Sequence, residues 1–318
     1  MAFTMRSLGR MAVLLFMAMT ISKPSLSAQA IKDQHHVELD TALIARGIGV
    51  SGTWIPDEGV YKINIPRTDV PVRVDGTPFP PFMGLTTWIG FQQGEDSTMV
   101  MGDLVLFQDE VNPVMSVLLD GGMTVTALHN HFFYSEPMVF FMHVGGDGKL
   151  DDFVKTIRAV FDRVKAIRAE HPVPAVSFGG APVTDQSKIT PAPVEGILGI
   201  KGTVKDGMLK FVIGRSVKMP CGCTAGEDMG INTWAAFMGS NEHAIMDGDF
   251  ATAQGELQPV LRTLRHSGIN IVAIHSHMEG ETPRLIYLHF WGMGPAAQLA
   301  QGFKSALNEQ AVVLHASK

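Results

Sequence analysis

Cysteine is nearly absent. The 318 residues contain two, Cys221 and Cys223, both in the run MPCGC. A pair this close cannot build a disulfide framework, so stability has to come from an ordinary core. In an oxidising compartment the pair is either a local disulfide or two thiols able to hold a soft metal. An excess of positive charge is also missing: 25 Lys and Arg stand against 31 Asp and Glu, a formal charge of −6. Nucleic acid and anionic membrane surfaces need a basic patch, so neither is an expected partner. Long apolar runs are missing too. The run Met11–Ile21 spans 11 residues, against roughly 20 for a membrane-crossing helix, and nothing later replaces it, so no membrane span is expected.

What that run does fit is a leader. Arg6 and Arg10 precede it, and Ser27, Ala28, Gln29 and Ala30 follow as a small-residue stretch, the pattern of a secretory signal peptide. Cleavage is expected after Ala30, with Ala28 the nearest competitor, giving a periplasmic or secreted protein. Removing residues 1–30 takes away Arg6, Arg10 and Lys23 and no acid, so three positive charges are lost and −6 becomes −9. The remainder is long enough for two domains.

One segment is written twice. Residues 83–150 align without a gap on 229–296, with 20 of 68 positions identical. The likeness extends upstream, where IGVSGTWIPDEGVYKINIPR at 48–67 resembles LGIKGTVKDGMLKFVIGR at 198–215. Between the copies lies a stretch with five prolines and a Gly pair, which reads as a tether. The expected organisation is a leader at 1–30, a first repeat at 31–168, a linker at 169–193 and a second repeat at 194–318.

Within each repeat two periodicities alternate. Val111, Val114, Met115 and Leu118 recur at helical spacing, as do Leu257, Val260, Leu261 and Leu264. Pro113 and Pro259 fall in the first turn, where a missing N–H costs nothing. Glu110 and Glu256 suit the positive end of that helix and need no catalytic explanation. Gly122 and Gly268 mark its stop. Two β-rich runs follow, 123–131 and 138–145, too close for a parallel crossover and therefore an antiparallel hairpin. A long apolar stripe from Leu150 to Ile167, echoed by Leu299, Phe303 and Leu307, predicts a second helix. With early strands at 48–65 and 85–106, the expected fold class is α+β: two tandem homologous repeats, each an antiparallel-rich sheet with two packed helices, related by a pseudo-twofold.

The identities between the copies include His129/His275, His131/His277 and His143/His289. Packing alone preserves shape rather than imidazole, and ring nitrogens are the commonest protein donors to transition metals. In a strand, residues i and i+2 face the same way about 6.6 Å apart, so His129 and His131 can turn toward one ion, and His275 and His277 likewise. His143 joins them on the same face if His129 pairs with Phe141; a register one residue different sends it to the other face. Glu136 in the first copy and Glu281 in the second, with Glu279 as an extra candidate, stand near the turn as ligands or general bases. The resulting His-x-His-x4-Glu and His-x-His-x3-Glu patterns are similar in chemistry to the first metal motif of cupins. The cofactor expected is a divalent transition metal, zinc first and copper second. Copper would draw on Met138, Met219 or Cys221. Trp88, Trp234, Phe91 and Phe237 read as core aromatics. Gly102-Asp103 and Gly248-Asp249 read as a turn or bulge, with the Asp also able to hold a His in place.

ARGIGVSG, the run VNPVMSVLLDGGMTVTALHNH, the repeated EP or TP turn, the HNH and HSH motifs and the terminal HFWG resemble the LppY/LpqO family of exported bacterial proteins. The resemblance covers nearly all of the chain beyond the leader. It implies an envelope-exported protein built from two copies of a domain of unknown function. The family's namesakes are lipoproteins, whereas no cysteine lies near the end of this leader, so no lipid anchor is expected. Two functional expectations follow: a periplasmic metal-binding protein acting on a small molecule or holding an ion, or a non-catalytic envelope module whose histidines supply hydrogen bonds to a ligand or partner.

Overall fold

The computed structural model describes residues 38–316, with side chains to residue 312; the expected leader lies outside them. The first repeat contributes α1 (Thr41–Ile48), β1 (Thr53–Ile55), β2 (Val60–Pro66), β3 (Thr86–Gln93), β4 (Thr98–Phe107), α2 (Gln108–Asp120), β5 (Thr124–His129), β6 (Val139–Gly148) and α3 (Leu150–Glu170). The second repeats the series as α4 (Pro191–Leu198), β7 (Thr203–Lys205), β8 (Met208–Gly214), β9 (Asn232–Gly239), β10 (Ala244–Ala253), α5 (Gln254–His266), β11 (Asn270–His275), β12 (Leu285–Gly294) and α6 (Ala296–Ala316). The α+β class, the hairpin and the two long helices per repeat match expectation. An additional short helix opens each repeat. In the first, Asp40 Oδ1 accepts the Leu43 N–H at 2.7 Å and Gly49, at φ 80°, ends it, which is how an eight-residue helix is held at both ends.

All twelve of these strands form one antiparallel sheet, ordered β1-β2-β3-β4-β6-β5-β11-β12-β10-β9-β8-β7. The order is a palindrome of the two repeats, so the half-sheets join edge to edge at β5 and β11 with Leu128 paired to Ile274. Alternate strand residues such as Leu104, Leu106, Met142 and Val144 share one core with the helices of both repeats. All helices therefore cover the same face. Among the described residues no helix is long and apolar enough to cross a membrane.

The joint is held by side-chain amides. Asn112 of α2 donates to the Ile271 carbonyl at 3.0 Å and accepts the Ile271 N–H at 2.7 Å. Its counterpart Gln258 of α5 does the same for Val125, at 2.8 and 3.0 Å. Among the described residues these strand edges have no strand partner beyond the short β5–β11 overlap, and each helix supplies one from the other repeat. Asn112→Ala should leave the Ile271 N–H and C=O unpaired in the core, at a cost of about 2–4 kcal/mol. Gln258→Ala acts at a less buried place and should cost less. Urea midpoints of the two variants check the order.

On the opposite face each half carries a small cap. In the first, strands Arg73–Val74, Thr77–Pro78 and Ser135–Glu136 pair over Val72, Leu85, Val105, Phe107, Val139 and Phe141. In the second, Val217–Lys218 pairs with Thr224–Ala225 and bridges to Thr282, over Ile231, Ala251, Leu285 and Tyr287. Cys221 and Cys223 sit at the tip of that hairpin as a disulfide, their Cα atoms 5.5 Å apart. This is the local-disulfide form of the pair.

Candidate functional site

The face opposite the helices, between the two caps, carries the histidines. Strand alternation explains most of the placement: Met142 and Val144 point to the helix core, while Phe141 and His143 point away. In β5, simple alternation would put Val125, Ala127 and His129 on one face. A β-bulge between Val125 and Ala127 breaks it, so Val125 and Leu128 stay in the core while Ala127 and His129 turn outward. The same bulge lies between Ile271 and Ala273 in β11 and turns His275 outward. One extra residue in each strand thus re-aims a ring, a known use of bulges. The register His129↔Phe141 is the one required for His143 to share the face, and Ala127 pairs with His143.

The three rings of each copy are brought together. His129 Nε2 stands 3.1 Å from His131 Nε2, and the His129 and His143 rings stack with centroids 5.3 Å apart. In the second copy the His275 ring lies 5.0 Å from both His277 and His289. His131 rests on the Phe141 ring at 3.4 Å and His277 on the Tyr287 ring at 3.5 Å. The rings are stacked rather than aimed at one point, and among the described residues no three His, Cys, Asp or Glu side chains already surround a common centre. Turning a ring about its last, broad torsion re-aims its nitrogens without moving the strand. Burial, ahead of repulsion from neighbouring rings, lowers the pKa of His129, His275 and His277. Burial likewise lowers His131, against the pull of Asp103. These rings are therefore neutral at pH 7, with a lone pair to offer.

Two carboxylates complete the band. Asp103 and Asp249 pair in register with His143 and His289, are 8% and 4% exposed, and each keeps a buried Oδ1 with no partner. They lie mid-strand, not in a turn. The glycines before them answer to packing: a Cβ on Gly248 would stand 2.2 Å from the Phe290 ring and 2.4 Å from the Trp234 carbonyl. Asp249 Oδ2 stands 3.4 Å from His277 Nε2. Trp88 and Trp234, expected in the core, are half-buried on this same face, in register with Asp103 and Asp249 and covered by Lys62 and Lys210 at 4.7 and 4.3 Å. Phe91 and Phe237 are fully buried, as expected.

The two candidate glutamates part company. Glu136 is exposed in the cap strand beside Arg73. Glu281 is 5% exposed; its Oε1 accepts the Leu285 N–H at 3.0 Å and its Oε2 is buried without a partner. Burial, then the charges of Asp249 and Glu281, push the Tyr287 hydroxyl up to about 12. The second half is thus the more acidic of the two around its rings.

Burial pushes the Asp249 carboxyl up to about 6, against the pull of His289. A carboxyl raised in the folded chain holds its proton where the unfolded chain has released it. Ionising it therefore removes stability as pH rises from about 4 to 6, and the whole penalty is present above that window. In chelator, Asp249→Asn should gain on the parent protein between pH 4 and pH 7, by on the order of 1–3 kcal/mol. Urea midpoints at the two pH values check it; a pH-independent difference would contradict the assignment.

The chain matches the model of the family described as Domain of Unknown Function (DUF1259) twice, over residues 42–163 and 192–309. No curated protein matches it. Among solved structures, a trimeric bacterial microcompartment shell protein, PduB, is similar at 10% identity over 83% of this chain and 92% of that one, with a TM-score of 0.19, too low to carry any argument. The two family matches fall on the two halves of the sheet. The chain belongs to the DUF1259 family of domains of unknown function, which it carries in two tandem copies.

Proposed function

We propose that each half of the sheet holds a divalent transition-metal ion, through His129, His131 and His143 in the first half and His275, His277 and His289 in the second. The observation that carries the reading is the 3.1 Å between His129 Nε2 and His131 Nε2. Two nitrogens at about 2.0–2.1 Å from a tetrahedral zinc ion stand about 3.3 Å apart. The unpartnered Oδ1 atoms of Asp103 and Asp249 supply carboxylate beside His143 and His289, an arrangement that orients metal-bound imidazoles. Zinc is preferred over copper because the disulfide ties up both cysteine sulfurs and Met219 packs against the cap core, so that imidazole nitrogens and carboxylate oxygens are the donors grouped in the band. The residues Arg6 to Ala30 support export to the periplasm or beyond, and the quoted motifs support the narrower LppY/LpqO assignment.

The same 3.1 Å contact is also a hydrogen bond between two imidazoles, and it favours a second reading: an envelope module that binds a ligand or partner without metal. Reconstitution of the untagged protein separates the two. The metal reading expects zinc to survive gel filtration in a stoichiometric amount; less than about a tenth of an equivalent after reconstitution would overturn it.

A further inference from the structure

The two half-sheets join at the strands that carry the first histidines. Leu128 and Ile274 pair across the joint, both in the helix-side core. Antiparallel pairing then puts His129 beside Ala273 and His275 beside Ala127, all on the open face. His129 and His275 are diagonal cross-strand neighbours, a relation with a spacing of about 7–8 Å. Read across β4-β6-β5-β11-β12-β10, the face carries Asp103, His143, His129, His275, His289 and Asp249, one per strand. His131 and His277 stand over Phe141 and Tyr287, on β6 and β12, one strand in from the two ends of this band. Each triad is centred between the two strands that bear it, so the two centres are two strand spacings apart, about 10 Å.

We propose that the six histidines form one composite centre that takes two divalent transition-metal ions about 10 Å apart on the open sheet face. This rests on the metal reading above and extends it, because separate domains would give two unrelated sites. The seam through Asn112 and Gln258 fixes the spacing from the helix side. At this separation two dications repel, so the second ion binds about tenfold more weakly than the first at low ionic strength. The gap narrows in salt, where the screening length falls to about 8 Å. Asp103 and Asp249, at the two outer ends of the band, reduce the repulsion further.

The test is a copper(II) titration of the untagged full chain, followed by low-temperature electron paramagnetic resonance. At half an equivalent the spectrum should be that of an isolated ion. At two equivalents it should show dipolar broadening and a half-field line for a separation of about 10 Å. His275→Gln/His277→Gln, checked for an unchanged circular dichroism spectrum, should bind one ion and lose the coupling. The unaltered protein alone suffices if that variant does not fold. Two bound ions without coupling, or a single ion shared by all six rings, would overturn the composite centre while leaving metal binding intact. No uptake at all would overturn both readings.

Discussion

Arg215→Met should be among the most damaging single substitutions in this protein, lowering stability by about 3–5 kcal/mol. Glu256 is 1% exposed and serves two purposes. Its Oε2 accepts the Ala253 N–H at 3.0 Å, closing the start of α5, and the Arg215 guanidinium holds it at 2.5 and 3.0 Å. Among the described residues, removing the arginine leaves a buried carboxylate with only Gln310, at 2.6 Å, as a side-chain partner. In the first repeat Glu110 is fully buried but faces two arginines, Arg67 at 2.6 Å and Arg168 at 2.9 Å. Arg67→Met should therefore cost roughly half as much. Burial raises the Glu256 carboxyl, but Arg215, the Ala253 N–H and Gln310 together hold it below the ordinary value. That pair contributes stability above the usual carboxylate range and loses it as pH falls through the lowered value. The deficit of Arg215→Met should accordingly shrink in acid. Thermal unfolding at pH 7 and pH 4 checks both statements; equal losses for the two arginines would contradict the asymmetry.

The second large effect is on ligand uptake. His129→Gln/His131→Gln keeps polar side chains of similar length but removes two of three imidazoles from the first triad. Zinc affinity there should fall by more than 100-fold, beyond the roughly 10–100-fold that losing an outer hydrogen-bond partner costs. Stability in chelator should change little, since His131 is exposed and His129 half-buried. The metal-free reading predicts the reverse, with ligand binding nearly unchanged. Binding should also depend on pH in a set direction. Because burial lowers the pKa of four of the six rings, protons compete poorly. Zinc should then be retained below the pKa of free histidine, about 6.5, and be released only in stronger acid. Calorimetry at pH 7.5 and 5.5 measures both.

Much of this architecture is legible in the residues themselves. Glu110 and Glu256 mark the starts of α2 and α5, where each carboxylate accepts the N–H of the residue before the helix, and the short FFYSEP segment compels an antiparallel return. Pro113 and Pro259 lie in the second turn rather than the expected first, because each helix begins five residues before its proline. The hairpin permits the His129↔Phe141 register but also a one-residue shift, and it is the folded sheet that selects the former. What escapes is whatever depends on contacts between distant segments. The bulges at Val125/Ala127 and Ile271/Ala273 add one residue to a strand and leave no compositional mark, yet they decide which way His129 and His275 point. Nothing local states that β5 and β11 pair with each other. The amide-to-backbone bonds of Asn112 and Gln258 join residues 159 and 133 positions apart. Asp103 and Asp249 read as turn residues because each follows a glycine, but those glycines make room for neighbours across the sheet. Trp88 and Trp234 read as core because tryptophan is large and apolar, although Lys62 and Lys210 cover them on the open face. The aligned repeats do mark the two aspartates as identical positions, the signal that supports their reading as residues able to hold a His in place.

The central claim is that imidazoles in each half converge on an ion. Zinc K-edge absorption of the reconstituted, untagged protein tests it most directly. The fine structure should require about three imidazole nitrogens per zinc at about 2.0–2.1 Å, with the outer-shell scattering of their rings. A zinc environment of light atoms without ring scattering would contradict it, and the six histidines would stand as a hydrogen-bonded surface and nothing more.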